Sequence, residues 1–561
     1  MKKIGTVCCV AFIASSLCGA QLKKTVYASS GTMPIMSNSI KHSIRTLKAG
    51  AKTSFESLVE INDAVYIVGQ GVDADGFFGF LLTRYVVQKD GTYDVDTTFG
   101  SDGVVITKIG REAKAFRVIT DTRNGSTFLI VVGYGTDSVG KRCMAAACYT
   151  IDGKLENSFA NKGIVSASIA RWSEAYGIAI TQDGTIFMAG VSSQVPQDTT
   201  KMVATVVCCD AHGKVNQAWA DKGILLLSEP ATKYCDEKGE TIVFNAGSTP
   251  PSVSVVTSAG QSSSACGVVL WGNFLYVAGQ GTGGQNAVNL QSVGGAKSKT
   301  RIGPFVACYR ISDAALNNDF KNYHFGVAGE AAGGIIFPNI GNDSVSGFTH
   351  FVGNTEAIGF ELYGIGYVFS TNFSTSVNAA RGSQVRSVLV RMDSKGILKT
   401  GLGQVAGPLF NNGVIQTYLV DPGSTAASNP SKFYGTGFTY YMFKNTVTDT
   451  AMTNGILIAG YGMFARDNRN HIVLTRYVVN FSSKDWDLDL KEFGFDSLVG
   501  LAGKYNGHAL IYAGNNDWDI YGKAVCAPKG IIFVAGTAEK GKESCGIVAL
   551  YDGMHGMPLL R

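Results

Sequence analysis

The sequence predicts an all-β fold built from a repeated unit of four antiparallel strands. Three observations predict it: short apolar strands recur along the chain, tight-turn residues separate them, and the order of strands repeats. Glycine is abundant, with 69 of 561 residues, and charged residues make up only 16%. Few windows of ten residues carry apolar side chains at helical spacing, so a helical fold is excluded.

Two strands mark each copy of the repeat. One strand ends on glycine, at Gly69, Gly133, Gly190, Gly279, Gly460 and Gly536, with Leu362–Phe369 as the degraded fifth equivalent. The next strand usually ends on tyrosine, at Tyr85, Tyr149, Cys209, Tyr309, Met392, Tyr477 and Tyr551. A strand before this pair and another after it complete four. Seven copies of four antiparallel strands indicate a seven-bladed β-propeller, here assigned to residues 52–561.

The N-terminal residues resemble an export signal. Lys2 and Lys3 precede an apolar run from Ile4 to Leu17, and small residues allow cleavage after Ala20, with a second possible cut after Ala28. Cys18 would permit lipidation, but the bulky Leu17 before it favours simple cleavage. We therefore predict a signal peptide over residues 1–20 and an exported protein (periplasmic, cell-surface or extracellular) with no transmembrane anchor.

The last copy of the repeat lacks its fourth strand, because ten residues remain after Tyr551. A propeller can complete its last blade with a strand from the other terminus, which removes the open sheet edges. Residues 21–51 are expected to supply this closing strand. The candidates are Thr25–Ala28, Met33–Met36 and Ser43–Leu47.

A turn motif follows the tyrosine strand in the first copies. It runs from Asp90 to Gly103, recurs at Asp152–Gly163, and is weaker at His212–Gly223. The motif resembles the Delta-60 repeats of bacterial β-propellers. Independently of that resemblance, Asp-Gly provides the positive φ of a tight hairpin, and Phe99, Phe159 and Trp219 are expected to fill the gap between blades. The aspartates are expected to accept bonds from nearby backbone amides rather than bind calcium.

Nine of the twelve cysteines remain after cleavage at Ala20, so at least one has no internal partner, and the sequence does not define the pairing. Cys148, Cys209 and Cys308 are expected at equivalent, buried positions. No cysteine and histidine grouping has metal-ligand spacing. Neither a metal nor a cofactor is predicted.

The long insertions are expected to gather on one face of the propeller, where variable loops usually carry function. They are Ser228–Ser264, Gln280–Gly303, Pro338–Ala357, Val420–Ser431 and Gly503–Gly522. Loops on this face are mildly basic, which suits either a solvated surface or an anionic glycan. Exposed aromatics could stack on sugars or pack the loops down. The candidate ligand-binding residues are Trp172, Arg301, Arg466, Arg469, Tyr505 and Trp518.

Catalytic motifs are lacking. Seven histidines show no metalloprotease pairing, and neither a GxSxG sequence nor a phosphate-binding loop occurs. The net charge of +5 is too small to indicate a nucleic-acid partner. The main expectation is therefore a monomeric recognition propeller, without catalytic activity, that binds a protein or glycan. The alternatives are a secreted hydrolase- or lyase-like enzyme using the same loop face and a purely structural surface protein.

Overall fold

A computed structural model of the chain has an all-β fold. It describes residues 21–25, 43–50, 52–88, 93–193, 202–227, 263–281, 303–317, 319–320, 335–336, 346–354, 361–370, 384–397, 410–411, 414–417, 432–443, 453–464, 468–480, 487–489, 508–511 and 518–552. The expected signal peptide, Cys18 and Met33–Met36 lie outside these residues. Within them, no helix is long and apolar enough to cross a membrane.

The strands are numbered in chain order. Those of the first half are β1 (Gln21–Thr25), β2 (Ser43–Lys48), β3 (Ser54–Ile61), β4 (Ala64–Val72), β5 (Phe78–Val87), β6 (Tyr93–Val95), β7 (Val104–Thr107), β8 (Lys114–Arg123), β9 (Ser126–Thr136), β10 (Arg142–Thr150), β11 (Ile164–Ala167), β12 (Trp172–Ile180), β13 (Ile186–Ser193), β14 (Val203–Cys209) and β15 (Ile224–Leu226). Those of the second half are β16 (Ser263–Trp271), β17 (Phe274–Gly281), β18 (Gly303–Arg310), β19 (Ile335–Ile336), β20 (Ser346–Asn354), β21 (Glu361–Ser370), β22 (Gln384–Asp393), β23 (Phe410–Asn411), β24 (Val414–Thr417), β25 (Lys432–Phe443), β26 (Thr453–Phe464), β27 (Arg469–Asn480), β28 (Asp487–Asp489), β29 (His508–Ile511), β30 (Asp519–Cys526), β31 (Ile531–Lys540) and β32 (Glu543–Asp552). One 3₁₀ turn, Pro528–Gly530, precedes β31.

The described strands form antiparallel runs that follow the chain, which we call units one to seven. The units are β3–β7, β8–β11, β12–β15, β16–β19, β20–β24, β25–β29 and β30–β32, the last of which is extended by β2 and then β1. Units two and three share one eight-stranded sheet because a single parallel pair, Arg142 with Trp172, joins them. Two of the expected insertions are partly wrong: Pro338–Ala357 contains β20, and Gly503–Gly522 contains β29 and the start of β30. The strand β20, SGFTHFVGN, is rich in glycine and polar residues, and β29, HALI, is only four residues long, so neither has a clear apolar signature.

The first strand of each unit packs beside the first strand of the next. Contacts run through β3, β8, β12, β16, β20, β25 and β30, and β30 also contacts β3. Each of the hydrophobic core clusters lies between neighbouring units; for example, Val68 of unit one packs with Leu129 of unit two. In unit seven, β2 pairs antiparallel with β32, in the register Ser43 to Leu550 and Leu47 to Gly546.

A bulge near the start of every first strand explains the repeated glycine. In unit two the register shifts between Ala115 and Arg117, so Phe116 is extra. The bulge brings the carbonyl of Lys114 over Gly133, where an added Cβ would lie 1.9 Å from that oxygen. The equivalent glycines of all seven units meet the same kind of carbonyl at 1.9–2.0 Å, and in the fifth unit the glycine is Gly366. No residue with a side chain fits there without moving the backbone.

The Asp-Gly turns lock neighbouring units together, as the sequence predicts. Gly153 and Gly213 have φ values of +80° and +78°. The rings of Phe99 and Phe159 cover these glycines from the preceding unit, because an added Cβ would lie 2.6 Å and 2.7 Å from them. Trp219 is also buried, and its Nε1 donates to the Ile311 carbonyl of unit four at 2.7 Å. Full burial of such a ring contributes on the order of 2–3 kcal/mol.

The equivalent cysteines are Cys148, Cys208 and Cys308, so the assignment of Cys209 to this set is wrong. The carbonyl of each accepts a hydrogen bond from the backbone amide of a turn residue, namely Glu156, Asn216 and Asn317 respectively. The tyrosine strand of unit three ends on Cys209, which therefore takes the place of Tyr149. Burial raises the pKa of the Cys148 and Cys208 thiols to about 12.

Candidate active site

A cavity of about 340 Å³ opens where units two and three meet. The loop between β9 and β10 forms one wall, and the connection from β11 to β12 forms another. Both belong to the face that carries the strand-two to strand-three loops and the connections between units. The lining residues are Glu112, Thr136, Val139, Gly140, Lys141, Arg142, Arg171 and Trp172.

Arg142 joins two carboxylates beside this cavity. Its Nη1 lies 2.5 Å from Oε1 of Glu174, and its Nη2 lies 3.3 Å from Oε1 of Glu112. The two carboxylates differ in exposure, since 6% of the Glu174 side chain and 41% of the Glu112 side chain are accessible. One guanidinium therefore holds a buried carboxylate and a solvent-facing carboxylate within a few ångströms of each other.

A tyrosine is bonded to each carboxylate. Tyr134 donates to Oε1 of Glu112 at 2.6 Å, and Tyr176 donates to Oε2 of Glu174 at 2.5 Å. Burial, together with the neighbouring carboxylates, raises the pKa of both phenols above its ordinary value. Both hydroxyls therefore stay protonated through the physiological pH range and act as hydrogen-bond donors.

The Arg142 side chain also packs on an aromatic face. Its guanidinium carbon lies 3.9 Å from the centroid of the Tyr134 ring. Burial acts to lower the pKa of Arg142, but Tyr134, Glu174 and Glu112 outweigh it and raise the pKa above its ordinary value. The positive charge is thus permanent. We call Glu112, Tyr134, Arg142, Glu174 and Tyr176 the Arg142 cluster.

A second ion pair lies next to the cluster. Lys114 is 2.6 Å from Oε1 of Glu56, which occupies the bulge of unit one. Burial acts to raise the pKa of Glu56, but Lys114 and Lys523 outweigh it and leave the pKa below its ordinary value. Phe116 separates this pair from the cluster, with its ring 4.9 Å from that of Tyr176.

Trp172 is the one sequence-predicted residue that lines the cavity. Its side chain is 8% exposed at the start of β12. Among the residues that the structure describes, its indole Nε1 has no hydrogen-bond partner. A buried indole N–H usually has a partner, so this donor is an exception among the buried polar groups beside the cavity.

The other predicted site residues do not join Trp172. Arg469 lies in unit six, where its Nη1 is 3.3 Å from Oδ2 of Asp519. Trp518 packs against the core shared by units five to seven. Arg301, Arg466 and Tyr505 lie outside the described residues. In the part of the chain that is described, no group of three or more His, Cys, Asp or Glu side chains could hold a metal ion.

The sequence reasoning missed the carboxylates of the cluster. Glu174 stands in an otherwise apolar and small-residue strand, and Tyr134 directly follows the repeated Gly133. Both features are visible once the copies are aligned on the bulge. Glu112 lies in a connection and has no comparable signal.

Scans of the chain against protein-family models and against curated proteins find no match. Solved structures with a similar fold do exist. A glucose dehydrogenase is 11% identical, covers 90% of this chain and 98% of its own, and has a TM-score of 0.30. The polysaccharide lyase Uly1 is 11% identical, covers 89% of this chain and 90% of its own, and has a TM-score of 0.36. An α-L-arabinanase of Penicillium chrysogenum, complexed with arabinobiose, is 9% identical, covers 93% of this chain and 100% of its own, and has a TM-score of 0.33.

All three of these proteins are enzymes. The main expectation from the sequence, a recognition protein without catalytic activity, is therefore corrected, and its enzyme alternative agrees better with this comparison.

Proposed function

We propose that this chain is a glycan-cleaving enzyme whose active site is the Arg142 cluster and the adjoining cavity. One observation carries the proposal: a single guanidinium joins two carboxylates of unequal exposure, and each carboxylate also accepts a bond from a tyrosine. Glycosidic bonds are typically cleaved by two carboxyl groups with separate roles. Trp172 adds an aromatic side chain to the wall of the adjoining cavity.

The unequal exposure suggests how the roles divide. Glu112 faces the cavity, so it is the group that can exchange a proton with a glycosidic oxygen or with water. Glu174 is buried and held by Arg142 and Tyr176, which suits a fixed carboxylate that stabilises positive charge developing on the sugar ring. Arg142 and Tyr134 orient the two carboxylates.

The test is cleavage of a panel of soluble polysaccharides by the purified protein. New reducing ends would report cleavage, and ultraviolet absorbance of unsaturated products would distinguish elimination from hydrolysis. We expect Glu112→Gln and Glu174→Gln each to lower kcat by about 10²–10⁴-fold. Glu156→Gln is the matched control, because Glu156 lies in an Asp-Gly turn and accepts from the Ser158 amide. Cleavage that survives in both carboxamide variants would rule out this site.

We further propose that the seven units are the blades of a β-propeller, closed by β2 in the seventh. The contacts between successive first strands, from β3 round to β30 and back to β3, support this arrangement, as does the pairing of β2 with β32. Deleting Gln21–Leu47 should lower the melting temperature and promote self-association, since it exposes the edge of β32. A deletion variant as stable and monomeric as the full chain would contradict closure.

Export and kinship with the Delta-60 repeats also stand as proposals. The Lys2, Lys3 and Ile4–Leu17 pattern supports export, and the Asp-Gly turns support the kinship. N-terminal sequencing of protein recovered from outside the cell tests the first: a terminus at Gln21 or Ser29 agrees with it, whereas an intact Met1 on protein retained inside contradicts it.

A further inference from the structure

Four tyrosines form a continuous aromatic arc across units five to seven. Tyr367 lies 5.2 Å from Tyr434, Tyr434 lies 4.8 Å from Tyr461, and Tyr461 lies 5.0 Å from Tyr521, measured between ring centroids. Tyr434 and Tyr461 are stacked with 16° between their planes, and the other contacts are edge-on. All four side chains are half-buried. We call them the tyrosine arc.

Strand register places the arc at the level of the Arg142 cluster. Tyr367 and Tyr461 directly follow the repeated glycines Gly366 and Gly460, as Tyr134 follows Gly133. Tyr434 and Tyr521 each lie two residues before the extra residue of the bulge in their units, as Glu174 does in unit three. Because the first strands contact one another in a cycle, both sets of side chains surround the same opening.

Charged side chains connect the two sets. Lys523, which occupies the bulge of unit seven, lies 5.9 Å from the centroid of the Tyr461 ring. It also acts on the Glu56 carboxylate, which pairs with Lys114 beside Phe116. The surface between arc and cluster is thus polar and continuous.

The charges around this opening nearly balance. Lys114 faces Glu56, Arg142 faces Glu112 and Glu174, and Arg469 faces Asp519. Lys523 and Arg117 add two more cations. Five cations against four carboxylates give little net attraction for an anionic glycan. Stacked aromatic rings with flanking hydrogen-bond groups instead suit the faces and hydroxyls of uncharged sugars.

We propose that the tyrosine arc is a second subsite that binds sugar rings of a neutral polysaccharide, whose scissile bond lies at the Arg142 cluster. This assignment of substrate class rests on the proposed function, whereas the binding itself can be measured without turnover. Asn470, whose side-chain amide lies 3.4 Å from the Tyr521 hydroxyl, supplies a polar contact at the end of the arc.

The experiment is affinity electrophoresis of the full chain carrying Glu174→Gln, which prevents cleavage. The gels contain soluble xylan, galactomannan or arabinan, with alginate and chondroitin sulphate as the anionic arms. Tyr434→Leu with Tyr461→Leu removes two rings but keeps apolar packing. Tyr440→Leu on the same strand is the control, because Tyr440 pairs with Ile456 at the opposite end of β25. Should the double variant fail to fold, Tyr521→Leu alone provides the measurement.

We expect at least one neutral polysaccharide to retard the protein. Retardation should be at least about tenfold weaker in the arc variants, equivalent to about 1.4 kcal/mol, and unchanged in the control. The proposal is overturned if no neutral polysaccharide retards the protein, if only the anionic ones do, or if the arc variants bind as well as the parent. If arc-dependent binding is found but the native chain cleaves nothing, the active-site proposal fails and the subsite stands.

Discussion

The boundary between units two and three and the boundary between units six and seven use the same positions for different side chains. Arg142 lies two residues before the partner of Tyr134, and Asn470 lies two residues before the partner of Tyr461. Across the first boundary, Arg142 faces Glu174 at 2.5 Å. Across the second, Asn470 faces Tyr521 at 3.4 Å. At the first boundary this position holds an arginine that pairs with two carboxylates, and at the second it holds a neutral amide bonded to Asp519 and Tyr521.

The backbone beneath these side chains is the same at both places. Each unit has a first-strand bulge and a glycine under the bulge carbonyl, at Gly133 and at Gly460 among others. The comparison teaches that the repeat fixes where a side chain stands but not its chemistry. Variation at a few register positions is therefore enough to place an ion-pair cluster on one side of the opening and an aromatic arc on the other.

The largest effect is expected when the shared backbone is broken. Gly133→Val and Gly460→Val should each destabilise the protein by about 4 kcal/mol or more, because the new Cβ would overlap a carbonyl oxygen at 1.9–2.0 Å. Urea unfolding measures both. Gly125→Ala is the control: its φ is +76° but the space around it is open, so only a backbone cost of about 1–2 kcal/mol is expected. A tolerated valine at either glycine would mean that the bulge is not the shared constraint.

A smaller and unequal effect is expected from the two boundaries themselves. Arg142→Met leaves the buried Glu174 carboxylate without its cation, which costs about 3–5 kcal/mol. Asn470→Ala removes neutral and charge-assisted bonds to Asp519 and Tyr521, at a cost of about 1–2 kcal/mol. Thermal unfolding of the two variants, side by side, gives the difference. Equal losses would contradict the contrast between an arginine and a neutral amide at the same register position.

The smallest effect concerns a bond that spans the opening. Nη1 of Arg117 in unit two lies 2.8 Å from Nδ1 of His350 in unit five. Since the guanidinium only donates, the imidazole must accept and is neutral. Burial, and then the charge of Arg117, hold the pKa of His350 well below its ordinary value.

Stability should therefore fall on acidification. Below about pH 6.5 the unfolded histidine binds a proton that the folded one does not, so stability decreases by up to about 1.4 kcal/mol per pH unit. Melting temperatures between pH 7.5 and 5 measure this slope, and His350→Gln should flatten it. An unchanged slope in that variant would show that another group titrates.

Much of the strand pattern could be predicted from the sequence. The glycine at the Gly133 position recurs in most copies because a backbone carbonyl leaves no room there for a side chain. The tyrosine at the Tyr149 position recurs because its ring is fully buried. Such requirements repeat with every unit, so they leave a periodic trace. The strand β20 was harder to find, because glycine, serine, threonine and histidine interrupt the apolar residues of its sequence SGFTHFVGN.

The candidate site left a fainter trace. Trp172 was predicted as an aromatic near a loop, but Glu112, Glu174 and Tyr176 come together only after two units pack side by side. Their sequence separations have no motif spacing, since the distance between them is set by β10 and β12 meeting at one residue pair. A site formed by side chains of two neighbouring units therefore cannot be predicted from the sequence of a single repeat.

The pairing of β2 with β32 has a consequence for the order of events during biosynthesis. Lys48 and Glu543, bonded at 3.3 Å, are 495 residues apart in the chain. Joining such ends in an unstructured polymer costs about 5–6 kcal/mol of loop entropy at this length, so β2 gains its partner only after the intervening units have folded and brought the ends together. The ribosome makes β2 before the strands of all seven units, yet β2 is among the last to reach its place. Until then, the side of β2 that later bonds to β32 is open to holdase chaperones or proteases.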